Sequence, residues 1–365
     1  DRVSSERVFE VRGAVTQLFK ETRITQISFH EVCAIENVGI QALKATLFES
    51  AGQTKLKETN HYFRMAIDRS FNLKGTGLIV TGMVFSGSTD LSRRLTVSSN
   101  GTQVRVRAIR ANNQKTDQAR VGERCAFNIT GRNVSKNCVP RGSWLLHSKL
   151  YVPTRRVDVE LHILNTESKS LKHWTSTYLH IGADHLLTRV AILESGKIAP
   201  GESGLAQLVV ARDIFAVHGD HFIIRDQSAQ RTIGGGSIID PYSPHRGRSR
   251  PSRLVNLKSM IFNSPKHILK SMAGKSITGV QLSTFSITHN IPTYYLDKLV
   301  NLYVCGIIHT SKPFFVIFEI VSETPLIKIE ALLTKFFFCE LLIENSIKYD
   351  LSTNFIFFTF ETQST

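Results

Sequence analysis

Between residues 60 and 240 the chain is cut into short β-rich runs by Gly, Asn and Ser, and this rhythm leaves few folds open. FRMAIDRSF, GLIVTGMVFSG, QVRVRAIRA, RCAFNITG and GSWLLHS make one set; RRVDVELHIL, TSTYLHIGA, LLTRVAILE, GLAQLVVA and HFIIRD make a second. Runs rich in β-branched and aromatic residues, bounded by turn formers, read as strands. A short strand hides its apolar face only against other strands. Two consecutive sets therefore predict two small barrels or sandwiches. We place them at 60–147 and 150–241, with the junction between His147 and Pro153.

Ahead of these sets, Val8, Val11, Val15, Leu18 and Phe19 share a helical face over 4–20. ITQISFHEVCA (24–34) reads as a strand and IQALKATLFESAG (40–52) as a second helix. Helix, strand, helix is an α/β pattern, but so short a segment closes no doubly wound sheet. The expectation is that residues 1–55 are the end of a domain in which the chain begins.

Beyond Tyr242 the texture changes again. PYSPHRGRSRPSR is a Pro- and Arg-rich linker, and LVNLKSMIF, KHILKSMA, VQLSTFSI and YYLDKLVNLYVCG follow with helical spacing. The last runs into the hairpin-like IIHTSKPFFVIF. Helices followed by a two-stranded wing predict a winged helix over 250–320. Residues 321–365, rich in Phe and Ile, are expected to begin a partial second unit of that kind.

The formal net charge of +15 favours a polyanionic partner, of which nucleic acid is the commonest; a soluble protein that is merely basic is the other reading. No acidic residue lies between Asp240 and Asp297, an interval that holds Arg246, Arg248, Arg250, Arg253 and Lys258. Cations neutralising Z phosphates give a salt slope of about −0.7Z to −0.9Z, so six contacts would make binding steeply salt-dependent. The five cysteines are scattered and form no CxxC pair, which argues against a disulfide framework or a zinc site. No run of apolar residues is long enough to span a bilayer. No G-x-x-x-x-G-K-[ST] occurs, and the GTG and GGG runs read as β-turns. His180, His185 and His218 stand singly in β context and read as packing or hydrogen-bonding residues rather than metal ligands. No catalytic constellation and no metal site are expected.

HYFRMAIDRSFNLKGTGLIVTGMVFSG (61–87) resembles the second domain of the selenocysteine-specific translation elongation factors, the SelB family of translation GTPases. HFIIRDQSAQRTIGGGSIIDPYSPHRGR (221–248) looks like the close of that family's third domain. The resemblance covers roughly 1–250 in order and 250–320 more weakly. It implies a mainly β, multidomain chain: a remnant of an α/β GTPase domain, two barrels of the elongation factor Tu type and a winged-helix extension. It implies an N-terminal truncation, with Asp1 where the family's Asn-Lys-x-Asp motif ends and Cys33–Ala34 where the family has Ser-Ala against guanine.

The family's function would be delivery of selenocysteyl-tRNA to the ribosome at UGA, in the cytoplasm, by a monomer using GTP and Mg²⁺ in the intact protein. By resemblance, its aminoacyl pocket maps to Asp68, Arg69 and Arg124. A selenol is more acidic than a hydroxyl and is largely an anion at neutral pH, and arginine offers that anion a permanent charge and a rigid fork of donors. Arg225, Asp226, Gln227 and Arg231 fall in the turn that contacts tRNA in elongation factor Tu. An mRNA hairpin would meet the C-terminal extension, where Lys298 and Lys312 join the linker cations. The rival readings are a general tRNA-carrying translation GTPase and a winged-helix nucleic-acid regulator.

Overall fold

The computed structural model describes residues 3–20, 26–53, 60–132, 134–261, 264–275 and 280–296, and four short paired strands beyond them. Asp1, Lys298 and Lys312 lie outside the described residues. The chain divides into two units, Asp1–Lys57 and Glu58–Thr365.

In the first unit, α1 (Ser5–Phe19) opens on Ser4, whose hydroxyl accepts the Arg7 amide at 3.4 Å, and α2 (Ile40–Gln53) follows. Neither helix buries a residue, and Phe9 is 80% exposed. The strand expected over 24–34 does not form: residues 26–32 carry no ladder, and Cys33 pairs only with Val38 in an isolated bridge. Its opening residues lie outside the described set. The physical reason is that a strand is defined by a neighbour that takes its backbone groups, and no other strand is described in this unit.

The second unit begins with β1 (Arg64–Leu73), β2 (Gly77–Ser86), β3 (Ser88–Asp90), β4 (Arg94–Val97), β5 (Gln103–Ala111), β6 (Gln114–Thr116), β7 (Gln118–Arg120), β8 (Arg124–Thr130) and β9 (Trp144–Leu146). Their order is β4-β9-β1-β2-β8-β5-β6, and β4 also pairs with β5, so the ring closes. Alternation drives this closure. Leu78, Val80 and Val84 of β2, with Val104, Val106 and Ile109 of β5, turn inward to Phe127 and Met65. Gly77, at φ +97°, ends the β1–β2 turn in a conformation that L side chains rarely adopt.

The second barrel comprises β10 (Thr154–Ile163), β11 (Leu171–Lys172), β12 (Thr175–Ile181), β13 (Asp184–Ile192), β14 (Lys197–Ile198), β15 (Ser203–Ile214), β16 (His221–Arg225) and β17 (Thr232–Asp240). It closes as β10-β15-β13-β12-β16-β17, while β11 and β14 form a small side ribbon. A 3₁₀ turn at Ser148–Leu150 lies between β9 and β10.

The two barrels share buried contacts. Arg64 of β1 lies 4.5 Å over the Trp144 ring and donates to Asp220 through Nη1 (2.9 Å) and Nη2 (2.6 Å). Tyr62, Trp144, Leu146, Phe215 and Val217 pack around this pair.

Helices α3 (Pro251–Met260), α4 (Pro265–Lys275) and α5 (Leu282–Thr288) then cover the second barrel. Leu257, Ile268 and Phe285 pack on Leu193, Leu205 and Ile239. Asn290 donates from Nδ2 to Ser86 Oγ (2.8 Å) and the Tyr62 carbonyl (3.3 Å), which ties this segment to the first barrel as well. Further on, β18 (Ile307–His309) pairs with β19 (Phe315–Ile317), and β20 (Ser346–Asp350) with β21 (Phe355–Thr359).

Candidate functional site

The first barrel carries an outward-facing charged site made by an irregularity. In β1, Ile67 sits opposite Gly82 and Arg69 opposite Thr81, so Asp68 is one residue too many. This bulge breaks the in–out alternation and presents Asp68 and Arg69 next to one another. A side chain at position 82 is excluded, because a Cβ there would stand 1.9 Å from the Ala66 carbonyl oxygen. The bulge and Gly82 therefore belong together.

Three neighbouring strands then converge. Thr81 of β2 donates its hydroxyl to Asp68 Oδ1 at 2.7 Å. Arg124 of β8 reaches across β2 and donates Nη2 to Oδ1 at 3.1 Å and Nη1 to Oδ2. Burial would raise the Asp68 carboxyl, but the hydrogen bonds from Arg124 and Thr81 and the charges of Arg124 and Arg69 outweigh it and hold the group below its ordinary value. Arg69 is exposed and has no carboxylate partner among the described residues.

Asp68 and Arg69 line a groove of about 420 Å³ whose other wall brings Lys136 and Arg141 from the loop after β8, with Phe71, Val139 and Pro140 as apolar floor. Of the residues expected from the sequence, Asp68 and Arg69 line this groove and Arg124 is bound to Asp68 beside it; Lys136 and Arg141 were not among the expected residues. Their signal was present, two cations flanking a Pro, but nothing local to that loop says that it folds back onto β1.

On the next strands of the same barrel, Arg94 faces Arg105 across β4 and β5, and Arg110 faces Lys115 across β5 and β6. Arg107 occupies a second bulge between them. All five are exposed, none has an acidic partner among the described residues, and β4, β5, β6 and β8 contain no Asp or Glu. Like charges directly opposite one another are destabilising in a sheet, so this row is poised for an anion.

The remaining expected residues divide sharply. In the turn after β16, Asp226 accepts the amides of Gln230 (2.9 Å) and Arg231 (3.1 Å) and the Ser228 hydroxyl (2.8 Å), and these bonds hold its carboxyl low. Asp226 thus shapes the turn; Gln227 is exposed at its tip. Arg225 donates to the Gln230 carbonyl at 3.1 Å, and Arg231 pairs with Glu167 at 3.3 Å. Cys33 is buried, and its sulfur accepts the Glu36 amide at 3.4 Å, while Ala34 is exposed.

The linker cations are not equivalent, which corrects the view of one basic tract. Arg253 is engaged by Asp158 (Nε, 3.1 Å) and Asp240 (Nη2, 2.8 Å), and Lys258 by Glu194 (2.6 Å). A guanidinium held by two carboxylates fastens α3 to the second barrel. The sequence suggested otherwise because its acidic partners, Asp158 and Asp240, stand outside the acid-free interval. Arg246 and Arg250 remain exposed, and Arg248 lies 4.9 Å over the Trp174 ring.

His218 donates Nδ1 to the Ile239 carbonyl at 2.8 Å and packs 4.4 Å from the His289 ring. Among the described residues no cluster of three or more His, Cys, Asp or Glu could hold a metal, and no helix is long and apolar enough to cross a membrane.

Residues 154–245 match the family model of the selenocysteine-specific elongation factor, beta-barrel domain. The selenocysteine-specific elongation factor of Escherichia coli K12 is 34% identical over 260 residues, 71% of this chain and 40% of that protein. The chain belongs to the family of selenocysteine-specific elongation factors. The Desulfomicrobium baculatum member is 28% identical over 274 residues, 74% of this chain and 42% of its own length. The chain thus spans about two fifths of these relatives. Among solved structures, bacterial EF-Sec matches with a TM-score of 0.70 at 18% identity, over 92% of this chain and 52% of that one. SelB of Methanococcus maripaludis matches with a TM-score of 0.57 at 19% identity, over 67% and 56%, and has also been solved with a GTP analogue. These two likenesses bear on the family's fold.

Proposed function

We propose that this chain is the tRNA-carrying part of a factor that delivers selenocysteyl-tRNA to the ribosome at UGA codons. The observation that carries this reading is the Asp68–Arg124 clasp beside the unpaired Arg69. Asp68 fixes the Arg124 fork, offsets the repulsion between the two arginines, and leaves Arg69 to meet an incoming anion. A selenolate satisfies this arrangement; a neutral seryl hydroxyl leaves Arg69 without a counter-charge. Sites built around polar groups discriminate by roughly 10⁴-fold or more.

The like-charged row on β4, β5 and β6 supports an RNA partner for the same barrel. Residues 1–55 are read as the close of the GTPase domain, with Asp1, Cys33 and Ala34 at its guanine site. The intact protein would use GTP and Mg²⁺; the Cys33 sulfur here serves its own turn and the chain holds no P-loop sequence, so no GTP step is assigned to these residues. Helices α3 to α5 with the β18–β19 ribbon support a winged helix at 250–320. Arg246, Arg250, Lys298 and Lys312 are its candidate mRNA contacts, and Gln227, Arg225 and Arg231 the candidate tRNA contacts.

The test is a comparison of selenocysteyl- and seryl-tRNA affinity for the wild-type chain and Arg124→Ala. Equal preference in both proteins removes Arg124 from the recognition of the amino acid.

A further inference from the structure

Between β11 and β12 the chain turns sharply at Trp174, which holds φ +63°. That left-handed region is the habit of glycine and asparagine, and a bulky aromatic there is an outlier that points toward function. The turn is firmly strapped. The Trp174 amide donates to the Val190 carbonyl at 2.7 Å, the His173 amide to the Gly196 carbonyl at 3.0 Å, and the Thr175 hydroxyl to the Lys172 carbonyl at 2.7 Å. The indole is therefore presented by a fixed backbone, and it is 42% exposed. The only other tryptophan of the chain, Trp144, is 4% exposed and packed between the barrels.

The surroundings of the indole are cationic. The Arg248 guanidinium lies 4.9 Å from the ring centroid, and the His173 ring meets it edge-on at 5.4 Å. Lys172 faces Lys197 directly across the β11–β14 ribbon, and Arg189 is exposed on β13. None of these four cations has a carboxylate partner among the described residues; Glu194, in the adjoining loop, is held by Lys258. A lysine pair at one cross-strand position is unfavourable until an anion lies over it.

We infer that Trp174 and Arg248 form a stacking platform for an unpaired base of RNA, with Lys172, Lys197 and Arg189 receiving the flanking phosphates. An exposed aromatic ring interleaved with cations is the arrangement that binds single strands, because every base has a π-face and every nucleotide a charge. A double helix keeps its bases stacked inside and offers the indole nothing. The site is on the second barrel, away from the Asp68 groove, and it goes beyond the selenocysteine reading: loss of selenocysteine discrimination would leave it untouched.

The experiment is a titration of the purified chain with a single-stranded oligouridylate, followed by indole fluorescence, beside a perfect RNA duplex and heparin at the same salt. The single strand should quench the emission, and the duplex and heparin should not. Trp174→Phe should lose the quench, leaving Trp144 emission, while keeping affinity within a few-fold. Trp174→Gly, which suits the left-handed backbone, should fold and bind the oligonucleotide roughly five- to a hundredfold more weakly. Arg248→Gln should lower the salt slope by about 0.7. Quenching by duplex or heparin equal to that by the single strand overturns the proposal. So does an unchanged quench in Trp174→Phe, or full affinity in Trp174→Gly.

Discussion

Arg124 clasps both carboxylate oxygens of Asp68 from two strands away, across β2, whose Thr81 hydroxyl donates to the same carboxylate at 2.7 Å. Arg124 is neutralised and aimed by Asp68, and Arg69 is exposed. This order makes the contributions of the three residues separable.

Arg124→Ala removes the charged donor set that clasps Asp68. Preference for selenocysteyl- over seryl-tRNA should fall roughly ten- to a hundredfold, the equivalent of about 1.5–3 kcal/mol. Asp68→Asn should also erode the preference, because Arg124 is no longer held, while total tRNA affinity does not fall. Filter binding with both charged tRNAs measures each.

Arg64 and Asp220 join the barrels with side chains 3% and 12% exposed. Asp220→Asn leaves a guanidinium buried against Trp144 without its counter-charge. Breaking such a pair costs about 3–5 kcal/mol, and the retained bond from Arg64 to the Phe215 carbonyl places the loss toward the lower end. The midpoint of urea unfolding should drop accordingly.

Arg105→Glu sets an acid opposite Arg94. The barrel should gain about 0.2–1 kcal/mol from relief of the like-charge pair, while tRNA or duplex RNA binding weakens and its salt dependence flattens. Opposite movement in thermal melting and in RNA affinity is the signature. A parallel fall in both removes the row from RNA binding.

His289 is packed 4.1 Å from Phe285 and 4.4 Å from His218, between α5 and the second barrel. Burial first, and the neighbouring His218 second, push its pKa down to about 3. The unfolded chain, with an ordinary histidine near 6.5, binds the proton more readily. Stability from this group is therefore full above pH 6.5 and declines as pH falls toward 3, with a loss of about 2 kcal/mol at pH 5. Denaturation curves between pH 7 and 5 should show this slope, and His289→Phe should flatten it.

The order of the two strand sets and the helical spacing after Pro251 were legible in the sequence. Each rests on a local period or a turn former within a few residues of the element it defines. The AIDRSF and GERCAF strings, through their resemblance to a family, singled out Asp68, Arg69 and Arg124, which the fold brings together, and the first two line the groove. The segment 24–34 had strand composition, yet composition supplies no partner for its backbone.

What the fold alone decided are the pairings between distant positions. That Arg253 answers to Asp158, that Lys136 and Arg141 close the groove opposite Asp68, and that Arg94 meets Arg105 all depend on register and closure. One extra residue at Asp68 resets which side chains share a face. A period read along the chain determines which residues point outward; only the closed barrel determines which of them meet.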